Sequence, residues 1–170
     1  MRAFIFDLDG VIVFTDRFHY QAWKRMADEM GIYFDEQINH RLRGVSRPQS
    51  LEIILRRYEG APLSEEQKLE LMNRKNGYYR ELLDEMTPED VAPEVRETLR
   101  KLREGGYKLA IGSSSKNAKC ILEKVELSKM FEAVSDGINI SRSKPDPEVF
   151  LKAAAFLQED PAQCYVVEDA

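Results

Sequence analysis

The sequence is poor in the residues that cross-link a chain or anchor it in a membrane. Only two of its 170 residues are cysteines and only two are histidines. Cys120 and Cys164 cannot build a disulfide framework and show no metal-ligand spacing. Both read as small buried hydrophobes of a reducing compartment. No apolar run approaches the roughly 20 residues that a membrane-spanning helix needs. The N-terminal Ala3-Phe4-Ile5-Phe6 is too short for a signal-peptide core and is closed by acids. The expectation is a cytoplasmic chain with no membrane partner. Positive charge is not in excess either: 25 Lys and Arg against 30 Asp and Glu give a net charge of −5. That argues against a protein built to hold nucleic acid, while leaving room for a small cationic pocket. Repeats and low-complexity tracts are absent. With 43% hydrophobic and 32% charged residues, enough apolar material is present for one domain, or one domain with a modest insertion.

Three short apolar runs stop abruptly at polar residues: Ala3–Phe6 before Asp7, Leu109–Gly112 before Ser113, and Tyr165–Val167 before Glu168. Unbroken hydrophobicity predicts strands buried on both faces, as in a parallel sheet covered by helices. In such a sheet the carboxyl ends of the strands share one edge, so their polar ends converge. Between the first and second runs the periodicity is helical. Phe18, Ala22, Met26 and Met30 step by four. A second helical piece covers 50–58. A third covers 65–86, with Leu69, Met72, Tyr79, Leu83 and Met86 as its apolar stripe and Ser64-Glu65-Glu66-Gln67 as a capping box. Pro88 and Pro93 then mark a linker. The resulting expectation is an α/β, Rossmann-like parallel core made of 1–13 and 92–170, with an all-helical unit, 14–91, inserted.

Asp7-Leu8-Asp9-Gly10 puts two carboxylates two residues apart at a strand end, where they can face one side. Close like charges need a cation, or a proton kept on one partner. The spacing lacks the further oxygen donors of a calcium loop. A plain Asp-Gly turn is the bland alternative. Ser113-Ser114-Ser115-Lys116-Asn117 offers hydroxyls before a helix start, an anion site or simply a capped loop. Lys144, in Ser143-Lys144-Pro145, is either a neutralising ammonium or a solvated charge. Glu168-Asp169 offers oxygen ligands suited to magnesium. The four signals gain weight from occurring together and in this order.

In that order the motifs resemble those of the haloacid dehalogenase superfamily of phosphotransferases, along the whole chain. Thr15 with His19-Tyr20-Gln21-Ala22-Trp23, Arg43-Gly44-Val45-Ser46-Arg47 and Arg74-Lys75-Asn76 bring it closer to the sugar-phosphate mutases of that superfamily. The resemblance implies Asp7 as the nucleophile that takes the phosphoryl group and Asp9 as general acid and base. Mg2+ would be held by Asp7, the Asp9 carbonyl, Glu168 and Asp169. Ser113 and Lys144 would hold the transferring group, with Ser115, Lys116 and Asn117 beside it. Arg47 would clamp a distal phosphate, with Arg43, Ser50, Lys75 and Asn76 as further substrate contacts. Thr15 and His19 would hold Asp9 in position near the hinge. His19 reads equally well as a helix residue satisfied by the backbone, Trp23 as core, and Arg56 and Arg57 as a solvated face.

The implied reaction interconverts β-D-glucose 1-phosphate and D-glucose 6-phosphate through an aspartyl-phosphate and a bisphosphate. The alternatives are a phosphatase for small sugar phosphates and a non-catalytic fragment. The sequence departs from the pattern at Phe14, where relatives carry a small or acidic residue, and at Arg43, where some carry lysine. The resemblance also implies more chain after Ala170, a monomer when complete, and an uncovered sheet edge at the third run.

Overall fold

The structure is a computed structural model that describes residues 2–169. Four parallel strands are described: β1 (Ala3–Phe6), β2 (Lys108–Gly112), β3 (Ala133–Ser135) and β4 (Cys164–Val167), in spatial order β3-β2-β1-β4. Phe6 lies opposite Ile111 on one side and Val167 on the other, so β1, β2 and β4 end at one level. Their next residues are Asp7, Ser113 and Glu168, which is how distant segments meet.

The chain divides into two compact units, Met1–Thr15 with Met86–Ala170, and Asp16–Glu85. The sequence reading placed these boundaries at 13/14 and 91/92. Thr15 belongs with the sheet because its main-chain N–H and its hydroxyl both donate to the Asp9 carboxylate.

In the sheet unit, α5 (Pro93–Glu104), α6 (Ala118–Lys124) and α7 (Glu148–Phe156) are the helices that accompany the strands. Small side chains let α7 approach closely: Ala153 and Ala154 join Ala3, Ile5, Ala110 and Leu157 in one buried cluster. β3 carries only three residues and escapes a search for longer runs, although Ala133-Val134-Ser135 before Asp136-Gly137 repeats the pattern of β1. One expectation is corrected here. The run at 165–167 is not buried on both faces, since Tyr165 and Val166 are about half exposed. β4 is an edge strand with one neighbour among the described residues. The cysteines are likewise only half-buried, Cys164 on that edge strand and Cys120 on α6.

The second unit is helical: α1 (Asp16–Glu29), α2 (Glu36–His40), α3 (Arg47–Leu55) and α4 (Glu65–Leu83). Ser46 caps α3, which therefore begins before residue 50, and Ser64 with Gln67 closes both halves of a capping box on α4. Trp23, Met26, Phe34, Ile38, Leu51 and Ile54 form its core. The buried stripe of α4 is Leu71, Lys75, Tyr79 and Leu83, while Leu69 is 54% exposed. Tyr79, Leu83 and Met86 of the expected stripe are buried; the pattern misleads at Leu69, because a lysine occupies one of the buried positions. No helix among the described residues is long and apolar enough to cross a membrane.

Candidate active site

β1 delivers Asp7 to the common edge, and β4 delivers Glu168 and Asp169. One carboxylate oxygen from each lies within 4.8 Å of the others. The Lys144 ammonium sits among them, 2.9 Å from Asp7 Oδ2 and 3.0 Å from Glu168 Oε1. Three carboxylates against one ammonium leave a surplus of two negative charges in a confined place. Burial is the largest influence on Asp7 and raises its pKa; the Lys144 contact and the Leu8 N–H on Oδ1 oppose that shift. Oxygen donors with a surplus of two charges fit a hard divalent cation of the magnesium type.

The chain leaves room for this cluster at Gly10. Its φ is +91°, and a Cβ there would lie 2.3 Å from Asp169 Oδ2. A side chain at position 10 would thus occupy the carboxylate's place. The tight turn follows from local bonds: Ile12 N–H and Val13 N–H both donate to Leu8 O, and Gly10 N–H donates to Val13 O. This turn brings Thr15 back to Asp9, whose two carboxylate oxygens accept from Thr15 N and Oγ1 at 2.7 Å each. The Asp9 side chain is therefore held by the turn and stands outside the acidic trio.

Directly after β2 stands Ser113, 3% exposed, whose N–H donates to Ser135 O on β3. The following loop is tightened by its own hydroxyls. Ser113 Oγ accepts from Ser115 N, and Ser115 Oγ accepts from Asn117 N. Asn117 stands at the cap position of α6 without a side-chain cap bond, and Lys116 is exposed. Beside this loop lies Gly137, where a Cβ would meet Ser114 O at 2.4 Å. The adjoining Asp136 is fully buried, with one oxygen held by Ile138 N–H. Sequence reasoning did not single out Asp136 and Gly137. The Asp-Gly pair after an apolar run is the signal that marks them.

The helical unit gathers a second set of predicted residues. Arg47 donates to Asn76 Oδ1 at 2.9 Å. Lys75, only 3% exposed, puts its ammonium 2.9 Å from His19 Nδ1 and 4.8 Å from the ring centroids of both Trp23 and Tyr79. An ammonium has only protons to offer, so Nδ1 is the acceptor and the imidazole proton sits on Nε2. Burial, then the charges of Lys75 and Arg47, hold the His19 pKa well below 6.5. Burial also lowers the Arg47 pKa, the mark of a cation partly withdrawn from water. Ser50 is buried on α3, and Trp23 is core. Arg43 makes an exposed ion pair with Asp16 at 2.9 Å.

Comparisons with known proteins identify the family to which this sheet and these strand ends belong. Residues 1–170 match the family model of the haloacid dehalogenase-like hydrolases. The chain belongs to that family. It is an enzyme of the family, and it is 44% identical over 172 aligned positions to β-phosphoglucomutase of Bacillus subtilis (strain 168), covering all of this chain and 76% of that protein. A phosphorylated carbohydrates phosphatase of Thermotoga maritima is 30% identical, again over the whole chain and 77% of the relative. Among solved structures, β-phosphoglucomutase from Clostridium difficile superimposes with a TM-score of 0.91 at 38% identity, over all of this chain and 77% of that one. The haloacid dehalogenase-like sheet and the helical unit thus have counterparts in a sugar-phosphate isomerase along every described segment.

Proposed function

We propose that this enzyme transfers a phosphoryl group between the C1 and C6 oxygens of a hexose. It would interconvert β-D-glucose 1-phosphate and D-glucose 6-phosphate through an aspartyl-phosphate and a bisphosphate. The observation that carries the reading is the meeting of Asp7, Lys144, Glu168 and Asp169 at one strand edge. Asp7 attacks phosphorus, and the P–O bond to the departing sugar oxygen breaks as the new one forms. Asp9 gives that oxygen its proton. In the second half, Asp9 takes the proton of the accepting hydroxyl while that oxygen displaces Asp7. A carboxylate nucleophile divides one hard displacement into two easier ones.

Lys144 and Ser113 supply positive charge and a hydrogen bond to the transferring group, whose chemistry is mostly positioning and charge neutralisation. Asp7, Glu168 and Asp169, with the Asp9 carbonyl, would hold Mg2+, which would neutralise charge on the phosphoryl oxygens. In the helical unit, partly buried Arg47 would take the substrate's other phosphate, with Asn76 fixing the guanidinium and the buried Lys75 adding positive charge behind it. The 44% identity to a β-phosphoglucomutase supports an isomerase over a hydrolase. The second reading is a phosphatase for small sugar phosphates, favoured by the Thermotoga relative.

A coupled assay with magnesium and a trace of glucose bisphosphate decides between them. Isomerisation that is lost in Asp7→Asn supports the mutase. Release of inorganic phosphate without isomerisation rejects it in favour of the phosphatase. Neither activity, with no magnesium-dependent labelling of Asp7 by beryllium fluoride, rejects both.

A further inference from the structure

The Lys144 ammonium has to sit about 3 Å from two carboxylates, yet it is carried by a segment with no helix or strand between β3 and α7. A lysine stem has four rotatable bonds, so precision must come from the backbone beneath it. Several of that backbone's bonds converge on one residue. Glu148, the first residue of α7, accepts from Ser141 N at 3.0 Å, from Ser141 Oγ at 3.0 Å and from Arg142 N at 2.7 Å. Its side chain is 11% exposed and pairs with Lys152 at 2.8 Å. Lys152 also donates to Asn139 O, whose side chain reaches Ser135 on β3.

The far side of the loop closes on the same residue. Glu148 N–H donates to Asp146 Oδ1 at 3.0 Å, and Arg142 pairs with Asp146 Oδ2 at 3.0 Å. Glu148 thus fastens both the approach to Lys144 and the exit from it. Two residues on, the Phe150 ring lies 4.9 Å from the ammonium and fills the space against Gly112, so α7 also supports the stem. An acid at a helix start is ordinarily explained by the helix dipole. Such an acid has no need to collect two main-chain N–H groups from a loop six and seven residues upstream. The Lys152 ammonium first, and then the Ser141 and Arg142 N–H groups, hold the Glu148 pKa at about 2, so its charge persists throughout the working range.

We propose that Glu148 is a positioning residue for the phosphoryl transfer: it fixes the backbone of residues 141–147 and so places the Lys144 ammonium against Asp7. The proposal rests on the role given to Lys144 above. Glu148→Gln removes the charge and keeps the shape. Two measurements on the full chain test it.

The first is hydrogen exchange under native conditions. Exchange at Ser141 and Arg142 is expected to quicken on the order of tenfold in Glu148→Gln, while the β1 and β2 amides stay unchanged. Unchanged exchange at those two amides overturns the clamp and leaves the reading of Asp7 intact. The second is a double-mutant cycle with Lys144→Met. Glu148→Gln alone is expected to lower kcat on the order of tenfold with KM nearly constant. In the Lys144→Met background it is expected to change kcat by less than about twofold. Equal losses in both backgrounds show a merely structural role and overturn the proposal. A Lys144→Met variant as active as the parent rejects the role of Lys144 itself, and the positioning role falls with it.

Discussion

Replacing Gly10 with alanine perturbs the acidic site at its tightest point, and two separate consequences follow from the geometry. At φ +91° an L side chain is strained, at a cost of about 1–2 kcal/mol. In a chain of this size that corresponds to a melting temperature lower by about 2–8 °C. The new methyl group would also stand 2.3 Å from Asp169 Oδ2 and 2.6 Å from its Cγ. Ordinary contact begins near 3.4 Å, so the carboxylate must retreat by about 1 Å. Asp169 is exposed and has space to do so, and the clash therefore adds little to the loss of stability. Magnesium, however, tolerates ligand displacements of only about 0.2 Å. The expected result is a folded enzyme whose magnesium affinity has dropped at least about tenfold, or about 1.4 kcal/mol.

Calorimetric titration with Mg2+ and a thermal melt read the two consequences separately. Gly106→Ala is the control, because Gly106 has φ +81° and nothing within 4 Å of its Cβ direction. It should melt lower by a similar amount and bind magnesium as the parent does. Parental affinity in Gly10→Ala would refute the assignment of Asp169 as a ligand.

Two further outcomes test the helical unit. His19 is held neutral by burial and by Lys75 and Arg47, so its contribution to stability is complete above about pH 6.5 and is lost as pH falls below it. There the unfolded chain takes up a proton that the folded unit refuses, at about 1.4 kcal/mol per pH unit. Urea unfolding at pH 7.5 and 5.5 should show that loss in the parent and a smaller one in His19→Gln; equal losses would disprove the burial argument. On α4, Leu71→Ala should cost about 2–5 kcal/mol, and Leu69→Ser no more than about 0.5 kcal/mol. Denaturant midpoints check this, and the reverse order would restore the stripe expected from sequence.

The acidic strand ends were legible because burial on both faces leaves a one-dimensional trace: an apolar run that halts at a charge. Asp7 and Ser113 each stand after such a run, Glu168 follows an apolar run on a half-exposed edge strand, and Ser64 with Gln67 announces α4 through bonds that span one turn. β3 left too short a trace to read by length. Lys75 was recognised only by resemblance, since a charged residue in a buried stripe contradicts the pattern that defines the stripe. What holds its ammonium is a histidine 56 positions away and two aromatic faces. Arg43, a cation in a matching motif, pairs with Asp16 at the surface of the helical unit.

The order of chemical groups along the chain, and the kinds of elements that carry them, were thus set by local sequence. Hydrophobic period, capping bonds and turn glycines act within a few residues. Which groups meet was decided by the tertiary structure. A parallel sheet aligns strand ends from residues 7, 113 and 168, and the loop behind Lys144 is oriented by bonds to Glu148 that no periodicity encodes. Coulombic and hydrogen-bonding partners are chosen by distance in space, and distance in space is fixed only once the sheet has closed.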